Sequence, residues 1–205
     1  PRAPTGHGER TAAMIYEAVV STRDRSGGAH LTPMGYRIDG DVVTLAPFVP
    51  STTLENLRRE AFAVINITDD VTVIAGCLTG RRTWPIVATE HVPGFRLADV
   101  LAHRELAVTH CEDDAVRPTF RLATVAEQCH RAPLGYNRAQ SAVLEAAILY
   151  TRLDWLDPAK VAQEIAYLQI AVEKTAGPRE LTAWQWITAA IQAHERHDIS
   201  RALQP

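Results

Sequence analysis

The sequence predicts an α+β protein in which an antiparallel β-barrel of six to seven strands is followed by a helical C-terminal extension. Three observations predict this class. Short β-rich runs separated by turn residues fill the chain from about residue 14 to residue 128. Apolar residues then recur at helical spacing beyond residue 133. The composition, with 46% hydrophobic and 22% charged residues, is that of a globular chain.

The charge and the cysteine content narrow the classes of function. A net charge of -3 lacks the positive field with which proteins neutralise nucleic-acid phosphates, so DNA and RNA are not expected as partners. No apolar run reaches the roughly 18 residues that span a bilayer, so no membrane association is expected. Cys77, Cys111 and Cys129 form no Cys-x-x-Cys pair, which favours reduced thiols and a cytoplasmic protein.

The chain divides into four predicted parts. Residues 1–13 are rich in Pro, Gly, Thr and charge, and they predict a flexible leader. The barrel is expected over residues 14–132 and a helical subdomain over residues 133–197, followed by a tail at 198–205.

Seven β-rich runs supply the predicted strands, at residues 14–22, 30–38, 41–47, 61–68, 71–79, 105–111 and 119–128. The pair Asp39-Gly40 predicts a two-residue hairpin, because glycine tolerates the positive φ that such turns require. A looser hairpin is predicted at Ser26-Gly27-Gly28, so the first three strands form a meander.

Helical spacing appears once within the β region and three times after it. Between residues 50 and 60, Ser51 is a capping residue and Leu54 and Leu57 share a face, which predicts a short helix. Three C-terminal helices are predicted. The first covers residues 138–153, and the second begins at the Asp157-Pro158 cap and ends before Gly177-Pro178. The third is indicated by one apolar face. That final face contains Leu181, Trp184, Ile187, Ile191 and His194.

The start of the short helix is a candidate anion site. Ser51, Thr52 and Thr53 place hydroxyl groups where the free backbone N–H groups and the positive end of the helix dipole favour an anion. A phosphate group fits such a place. The alternative is that Ser51 only caps the helix while Thr52 and Thr53 face water.

A second candidate stretch runs from His30 to Gly35. Pro33 removes a backbone donor and Gly35 removes a side chain from a predicted strand, which is typical of places where a ligand approaches the backbone. Thr32 and the peptide groups of Met34 and Gly35 are then available to a planar polar ring. The alternative is a bulge at the barrel rim that contacts no ligand.

The order of these stretches resembles that in the FMN-binding split β-barrel flavoproteins, which include flavin-reductase-like members. The segments that carry this resemblance are Ser21-Thr22-Arg23-Asp24, His30 to Gly35, Ser51 to Leu57 and Ala63-Val64-Ile65-Asn66-Ile67. A closer resemblance is to the uncharacterised flavoproteins called DUF447, carried by Met14-Ile15-Tyr16-Glu17, Gly76-Cys77-Leu78-Thr79-Gly80 and Asn137-Arg138-Ala139. It covers about residues 14–196.

The resemblance implies an FMN site and assigns its residues. The phosphate would be held by Ser51, Thr52, Thr53 and Asn56, and the ring and ribityl chain would be lined by Thr32, Met34, Gly35, Pro47 and Phe48. Many flavin-reductase-like relatives have Lys-Asp before the threonine of the helix start, whereas this chain has Pro50-Ser51. The phosphate charge would then be compensated by the helix dipole and the hydroxyls, or by an arginine elsewhere, for which Arg81, Arg82 and Arg138 are candidates.

The resemblance also implies a homodimer with the flavin at the subunit seam. The segment from Gly76 to Pro85, which contains Arg81, Arg82 and Trp84, is a candidate for the partner's side of the pocket. Its alternative is a basic surface loop anchored by Trp84.

The sequence gives weaker support to a metal site or to a hydrolase than to a flavin site. His110-Cys111 and Cys129-His130 suggest a metal, but neighbours on a strand point to opposite faces, so no metal site is expected. A Cys-His hydrolase is not expected, because no cysteine of this chain lies at a predicted helix start, where a thiolate would be stabilised. His30 is either a proton donor to reduced flavin or an exposed hairpin histidine.

The expected function is an FMN-dependent oxidoreductase whose redox partner and catalytic residues the sequence does not identify. The alternatives are a non-catalytic flavin carrier or sensor and a flavin-free barrel that binds a protein partner.

Overall fold

The computed structural model describes the backbone from Met14 to Ala202 and the side chains as far as His194. The leader predicted for residues 1–13 lies outside the described residues, as do the last three residues of the predicted tail. No helix in the described part of the chain is long and apolar enough to cross a membrane.

The predicted barrel is confirmed, and six antiparallel strands close it. These strands are β1 (Ile15–Arg23), β2 (Ala29–Asp39), β3 (Val42–Leu45), β4 (Phe62–Ile67), β7 (Ala102–Glu112) and β8 (Thr119–Cys129). Their order around the barrel is β1-β2-β3-β8-β7-β4, and β4 pairs with β1. Closure removes the free edges that an open sheet would expose.

The first three strands form the predicted meander. Asp39 pairs with Val42, so the two turn residues are Gly40 and Asp41, one position later than predicted. Gly40 has a φ of 57°, which is the left-handed conformation that favours glycine in such a turn.

The short helix after β3 is α1 (Thr52–Glu60), as predicted. Ser51 is its cap, and its hydroxyl oxygen accepts the N–H of Leu54 at 3.2 Å. Leu54 and Leu57 are buried in the apolar cluster that fills the barrel. Burial of this face fixes where the start of the helix lies relative to β2.

The strand predicted at residues 71–79 is wrong, because this segment is helix α2 (Val71–Leu78). Its β-branched composition suggested a strand, but the side chain of Asp70 caps a helix by accepting the N–H of Thr72 at 2.9 Å. The helix is buried almost all round against the C-terminal helices, so its sequence lacks a polar face that would reveal its period.

A second, two-stranded sheet was not predicted. It consists of β5 (Ile86–Ala88) and β6 (Phe95–Leu97). Asn66 anchors it to the barrel, because its Oδ1 accepts the N–H of Leu97 at 2.7 Å. Three-residue strands are too short to show a period in the sequence.

The C-terminal extension contains three α-helices, α3 (Arg138–Tyr150), α4 (Pro158–Thr175) and α5 (Pro178–Ala202), with a 3-10 turn at Leu153–Trp155. Asp157 caps α4 as predicted, whereas α3 ends before the predicted residue 153. Trp184, Ile187 and Ile191 of α5 are buried as predicted, but Leu181 is 45% exposed.

Two apolar clusters stabilise these layers. One fills the barrel and includes Phe120, Leu45 and Leu106. The other joins the outside of the barrel to α2, α3 and α5, and includes Val19, Val143 and Ile187. The extension is therefore packed on the barrel through a continuous apolar layer.

Candidate functional site

A cavity of about 610 Å³ lies between the barrel and the helical extension. Its barrel side is formed by β2, by the segment joining β3 to α1, and by the first turn of α1. Its other side is formed by α2, α3 and the 3-10 turn that follows α3. This volume and this mixture of polar and apolar walls are typical of sites for small organic ligands.

The polar end of the cavity is the start of α1. The oxygen of Ser51 is engaged by Leu54, which leaves the N–H groups of Thr52 and Thr53 without a partner inside the helix. All three of Ser51, Thr52 and Thr53 line the cavity. Free N–H groups, hydroxyls and the helix dipole thus point to an anionic group at this end.

A chain of hydroxyl groups connects α1 to the neighbouring strand. Thr53 Oγ1 donates to Thr32 Oγ1 at 3.3 Å, and Thr32 Oγ1 lies 2.8 Å from His30 Nε2. Burial, together with the positive charge of Arg82, lowers the pKa of His30, while Asp24 opposes this shift. His30 therefore favours its neutral form in the cavity wall.

Phe48 and Arg117 form the outer barrel wall. The guanidinium carbon of Arg117 lies 4.7 Å from the centroid of the Phe48 ring, and Arg117 Nε donates to the carbonyl of Ala46 at 2.8 Å. Phe48 is 58% exposed, although it is large and apolar. An exposed aromatic ring held by a cation at a cavity is a surface against which a flat ligand packs.

The helical wall is apolar at its centre and polar at its rim. Its centre consists of Ile74, Leu78, Leu144, Ala147 and Ile148. The rim adds Thr151, Arg152 and Trp155, of which Trp155 is 80% exposed. Asp154, which neighbours Trp155, is bound by His194 Nε2 at 3.0 Å. Together with α2, the extension therefore supplies the wall opposite the barrel and an aromatic residue at the cavity mouth.

The structure brings together eight of the nine residues expected at the site. Thr32, Met34, Gly35, Pro47, Phe48, Ser51, Thr52 and Thr53 all line the cavity. Asn56 does not, because it faces the interior and is 1% exposed. Its Nδ2 donates to Thr22 Oγ1 at 2.9 Å, so it holds α1 against β1 rather than facing the cavity.

None of the three arginines considered as charge partners lines the cavity. Arg81 instead stacks on Trp186 of α5, with 3.7 Å between its guanidinium carbon and the ring centroid. Arg117 and Arg152 line the cavity, and the sequence analysis missed both. Arg117 lies in the loop before β8, which the bond from the N–H of Val49 to the carbonyl of Val116, at 2.9 Å, holds beside the cavity; this long-range contact has no sequence signal.

The segment from Gly76 to Pro85 packs on its own chain. A Cβ atom on Gly76 would lie 2.4 Å from Trp84, so the ring of Trp84 rests directly on α2. Together with the stacking of Arg81, this anchors the segment beside α5.

Cys77, His103 and His130 lie outside this cavity. Burial raises the pKa of Cys77 to about 11, which keeps this thiol protonated and unreactive. His130 stacks on His103, with ring centroids 5.0 Å apart. Among the described residues, no group of three or more His, Cys, Asp and Glu side chains is arranged to hold a metal ion.

Two family models match the chain. The N-terminal domain of the protein of unknown function DUF447 matches residues 16–131, and the C-terminal DUF447 domain matches residues 137–189. Both halves of the fold, the barrel and the helical extension, are thus covered.

One solved structure has a similar fold, and two others match to a lesser extent. An FMN-bound DUF447 protein from Methanosarcina mazei superposes with a TM-score of 0.74 at 20% identity, over 87% of this chain and 95% of that chain. An FMN-binding protein from Thermus thermophilus matches with a TM-score of 0.49 at 13% identity, over 63% and 79%. Component B of nitrilotriacetate monooxygenase from Bacillus cereus gives 0.49 at 13% identity, over 66% and 84%.

Proposed function

The chain belongs to the DUF447 family of proteins of unknown function, and from that premise we propose that it binds FMN non-covalently in the cavity between barrel and extension. The observation that carries the proposal is the layout of this cavity. An anion-binding helix start lies at one end, and an exposed aromatic ring and an apolar helical wall lie beyond it. A phosphate joined to a flat ring has the same two-part chemistry. The similar protein from Methanosarcina mazei is described as FMN-bound, which supports the assignment.

Residues of α1 would hold the phosphate. The N–H groups of Thr52 and Thr53 and the hydroxyls of Ser51 and Thr52 would donate to its oxygens, while the hydroxyl of Thr53 donates to Thr32. Arg117 is the cation that we assign to the phosphate in place of Arg81, Arg82 and Arg138, because it lines the cavity and is bonded to Ala46 on the segment that leads into α1. Asn56 supports this arrangement only indirectly, by keeping α1 on β1.

Residues of β2 and of the segment after β3 would hold the ring. Thr32, Met34 and Gly35 offer polar groups along one edge, while Pro47 and Phe48 provide apolar contact. Leu144 and Ile148 of α3 line the opposite wall and keep water away from it. Bound FMN would supply hydride or electron transfer, and the protein would supply position and polarity.

We further propose that the protein is an oxidoreductase rather than a passive carrier. Support comes from the open rim around Trp155 and Arg152, which leaves access to the cavity for a second molecule. Steady-state turnover with NADH or NADPH and an added acceptor tests this step. Flavin that binds but is not reduced by either nucleotide would instead favour a carrier.

A homodimer is also part of the proposal. Ile15 of β1 and Val42 of β3 are each more than 40% exposed on the outer face of the barrel, and contact of such apolar side chains with water is unfavourable. A Cβ atom on Gly35 would lie 2.9 Å from Ile15, so this surface borders the cavity. A second copy would cover it and approach the ligand. Sedimentation equilibrium of the protein and of Ile15→Asp tests the dimer, which the substitution is expected to weaken.

The proposed place of action is the cytoplasm. Cys77, Cys111 and Cys129 are all unpaired thiols in the structure, as a reducing compartment requires.

The direct test is a titration of flavin-free protein with FMN and with riboflavin, followed by flavin fluorescence. The proposal predicts saturable binding of FMN at one site per chain and weaker binding of riboflavin, which has no phosphate. Equal affinity for the two would contradict the assignment of α1 to the phosphate.

A further inference from the structure

His30 lines the cavity on the same strand as the proposed ring-binding residues. Alternate residues of a strand point to the same side, so His30, Thr32 and Met34 form one row on β2. The ring of His30 is partly buried, and its one hydrogen bond in the described part of the chain is made by Nε2.

The contacts of the two threonines favour one tautomer of His30. Thr32 Oγ1 accepts a hydrogen bond from Thr53 Oγ1, and its own hydroxyl proton is then available for donation to a further acceptor. The acceptor within reach is His30 Nε2, at 2.8 Å. A neutral imidazole that accepts at Nε2 holds its proton on Nδ1.

We propose that the Thr53-Thr32 hydroxyl chain makes His30 a neutral hydrogen-bond donor, which offers its Nδ1–H to an unprotonated nitrogen or carbonyl oxygen on the edge of bound FMN. This inference rests on the proposed FMN site. It makes His30 a binding residue that selects a ligand with an acceptor at this point. It also links that selection to the helix start that would hold the phosphate.

The charged groups around His30 allow the neutral form at neutral pH. Arg82, from the segment after α2, disfavours a second positive charge, and burial acts in the same direction. Asp24, in the hairpin before β2, acts in the opposite direction. Glu17 of β1, Arg117 of the loop before β8 and Arg152 after α3 line the same cavity, so both signs of charge face it.

The tautomer can be tested without any flavin. Nitrogen-15 NMR of flavin-free protein at about pH 8, well above the ordinary histidine pKa, should show His30 protonated on Nδ1 and unprotonated on Nε2. Thr32→Val removes the donor to Nε2, so it should raise the pKa of His30 and restore an Nε2–H population. A wild-type protein that is protonated on Nε2 would overturn the inference.

The contact with FMN is tested by two substitutions of His30. Asparagine keeps an N–H donor close to the position of Nδ1, whereas phenylalanine keeps a flat ring without a donor. We expect His30→Asn to bind FMN within about threefold of the wild type and His30→Phe to bind about tenfold more weakly, which is the size of one lost hydrogen bond.

The outcomes separate this inference from the proposed function. Unchanged FMN affinity in His30→Phe, with normal binding by the wild type, would overturn the role of His30 alone. A wild-type protein that does not bind FMN would overturn the proposed function together with this inference.

Discussion

The hydroxyl oxygen of Ser51 accepts the backbone N–H of Leu54 at 3.2 Å, and this single bond decides which groups at the start of α1 remain free. Once Leu54 is satisfied, the N–H groups of Thr52 and Thr53 have no partner inside the helix and lie at the cavity. The cap and the proposed phosphate site are thus parts of one local structure.

Thr52→Glu is predicted to prevent FMN binding without harming the fold. Thr52 is exposed, and a carboxylate in the first turn of a helix interacts favourably with the helix dipole, so unfolding should not become easier. The same carboxylate repels a phosphate by about 4 kcal/mol at ~4 Å and an effective dielectric of about 20, so FMN affinity should fall by up to about a thousandfold. Fluorescence titration measures the affinity and thermal melting measures the stability.

Thr52→Gln is the matched control, because it has the same size without the charge. It should lose much less affinity than Thr52→Glu. Equal losses in the two variants would indicate a steric effect and would count against an anion at this position.

Arg117→Met is predicted to weaken FMN binding about tenfold and to leave riboflavin binding unchanged. The reason is that a hydrogen bond between a cation and a phosphate contributes about 1.5–3 kcal/mol, and part of this is lost to solvent at an exposed arginine. Arg121→Met, at an exposed arginine of β8 outside the cavity, is the control. A loss of riboflavin affinity equal to that of FMN would place Arg117 at the ring instead.

Much of the fold could be predicted because its signals are local. The hairpin before β3, the Ser51 cap and the Asp157-Pro158 start each depend on a few adjacent residues. Helix α2 was missed for the opposite reason, since its burial on nearly all sides removes the polar face that marks a helix. The β5 and β6 strands are held by Asn66, which is distant in sequence.

The residues of the candidate site also divide into those with a local sequence signal and those without one. The residues of β2 and α1 that line the cavity were found because proline, glycine and capping hydroxyls have local meanings. Arg117, Arg152 and the α3 wall were not found, because tertiary packing alone brings them to the cavity. Asn56 has a favourable spacing in the sequence, but the rotation of α1 points it at Thr22.

Glu105 provides a test of stability outside the proposed site. It is 2% exposed, and its carboxylate accepts the N–H groups of Glu90, His91 and Val92, at 3.2, 2.7 and 2.7 Å. Glu105→Gln removes the charge and turns an N–H₂ group toward these donors. We predict a loss of about 1–3 kcal/mol in the free energy of unfolding, measured in urea at pH 7.

The same substitution has a predictable pH dependence. Burial alone would raise the pKa of Glu105, but the three N–H donors and His103 hold it below the ordinary value of 4.5. The stability that ionised Glu105 provides is therefore present above pH 4.5 and is lost as the pH falls through the lower pKa of the folded state. The difference between wild type and Glu105→Gln should shrink on acidification, and a constant difference would contradict this origin.

Gly76→Ala is predicted to destabilise the contact between α2 and the segment that follows it. A Cβ atom there would lie 2.4 Å from Trp84 Cζ2, so the indole must move, at a cost of about 1–3 kcal/mol. In a Trp84→Leu background the same substitution should cost much less. A thermal-melting double-mutant cycle that shows no coupling between the two positions would contradict the contact.

The central claim, that the cavity between barrel and extension is an FMN site, is tested most directly by identifying what the native protein carries. Mass spectrometry of small molecules released by denaturing protein purified under native conditions should detect FMN, and Thr52→Glu protein prepared in parallel should release little or none. Wild-type protein that carries no flavin and takes up none from added FMN, or a Thr52→Glu variant that releases as much FMN as the wild type, would contradict it.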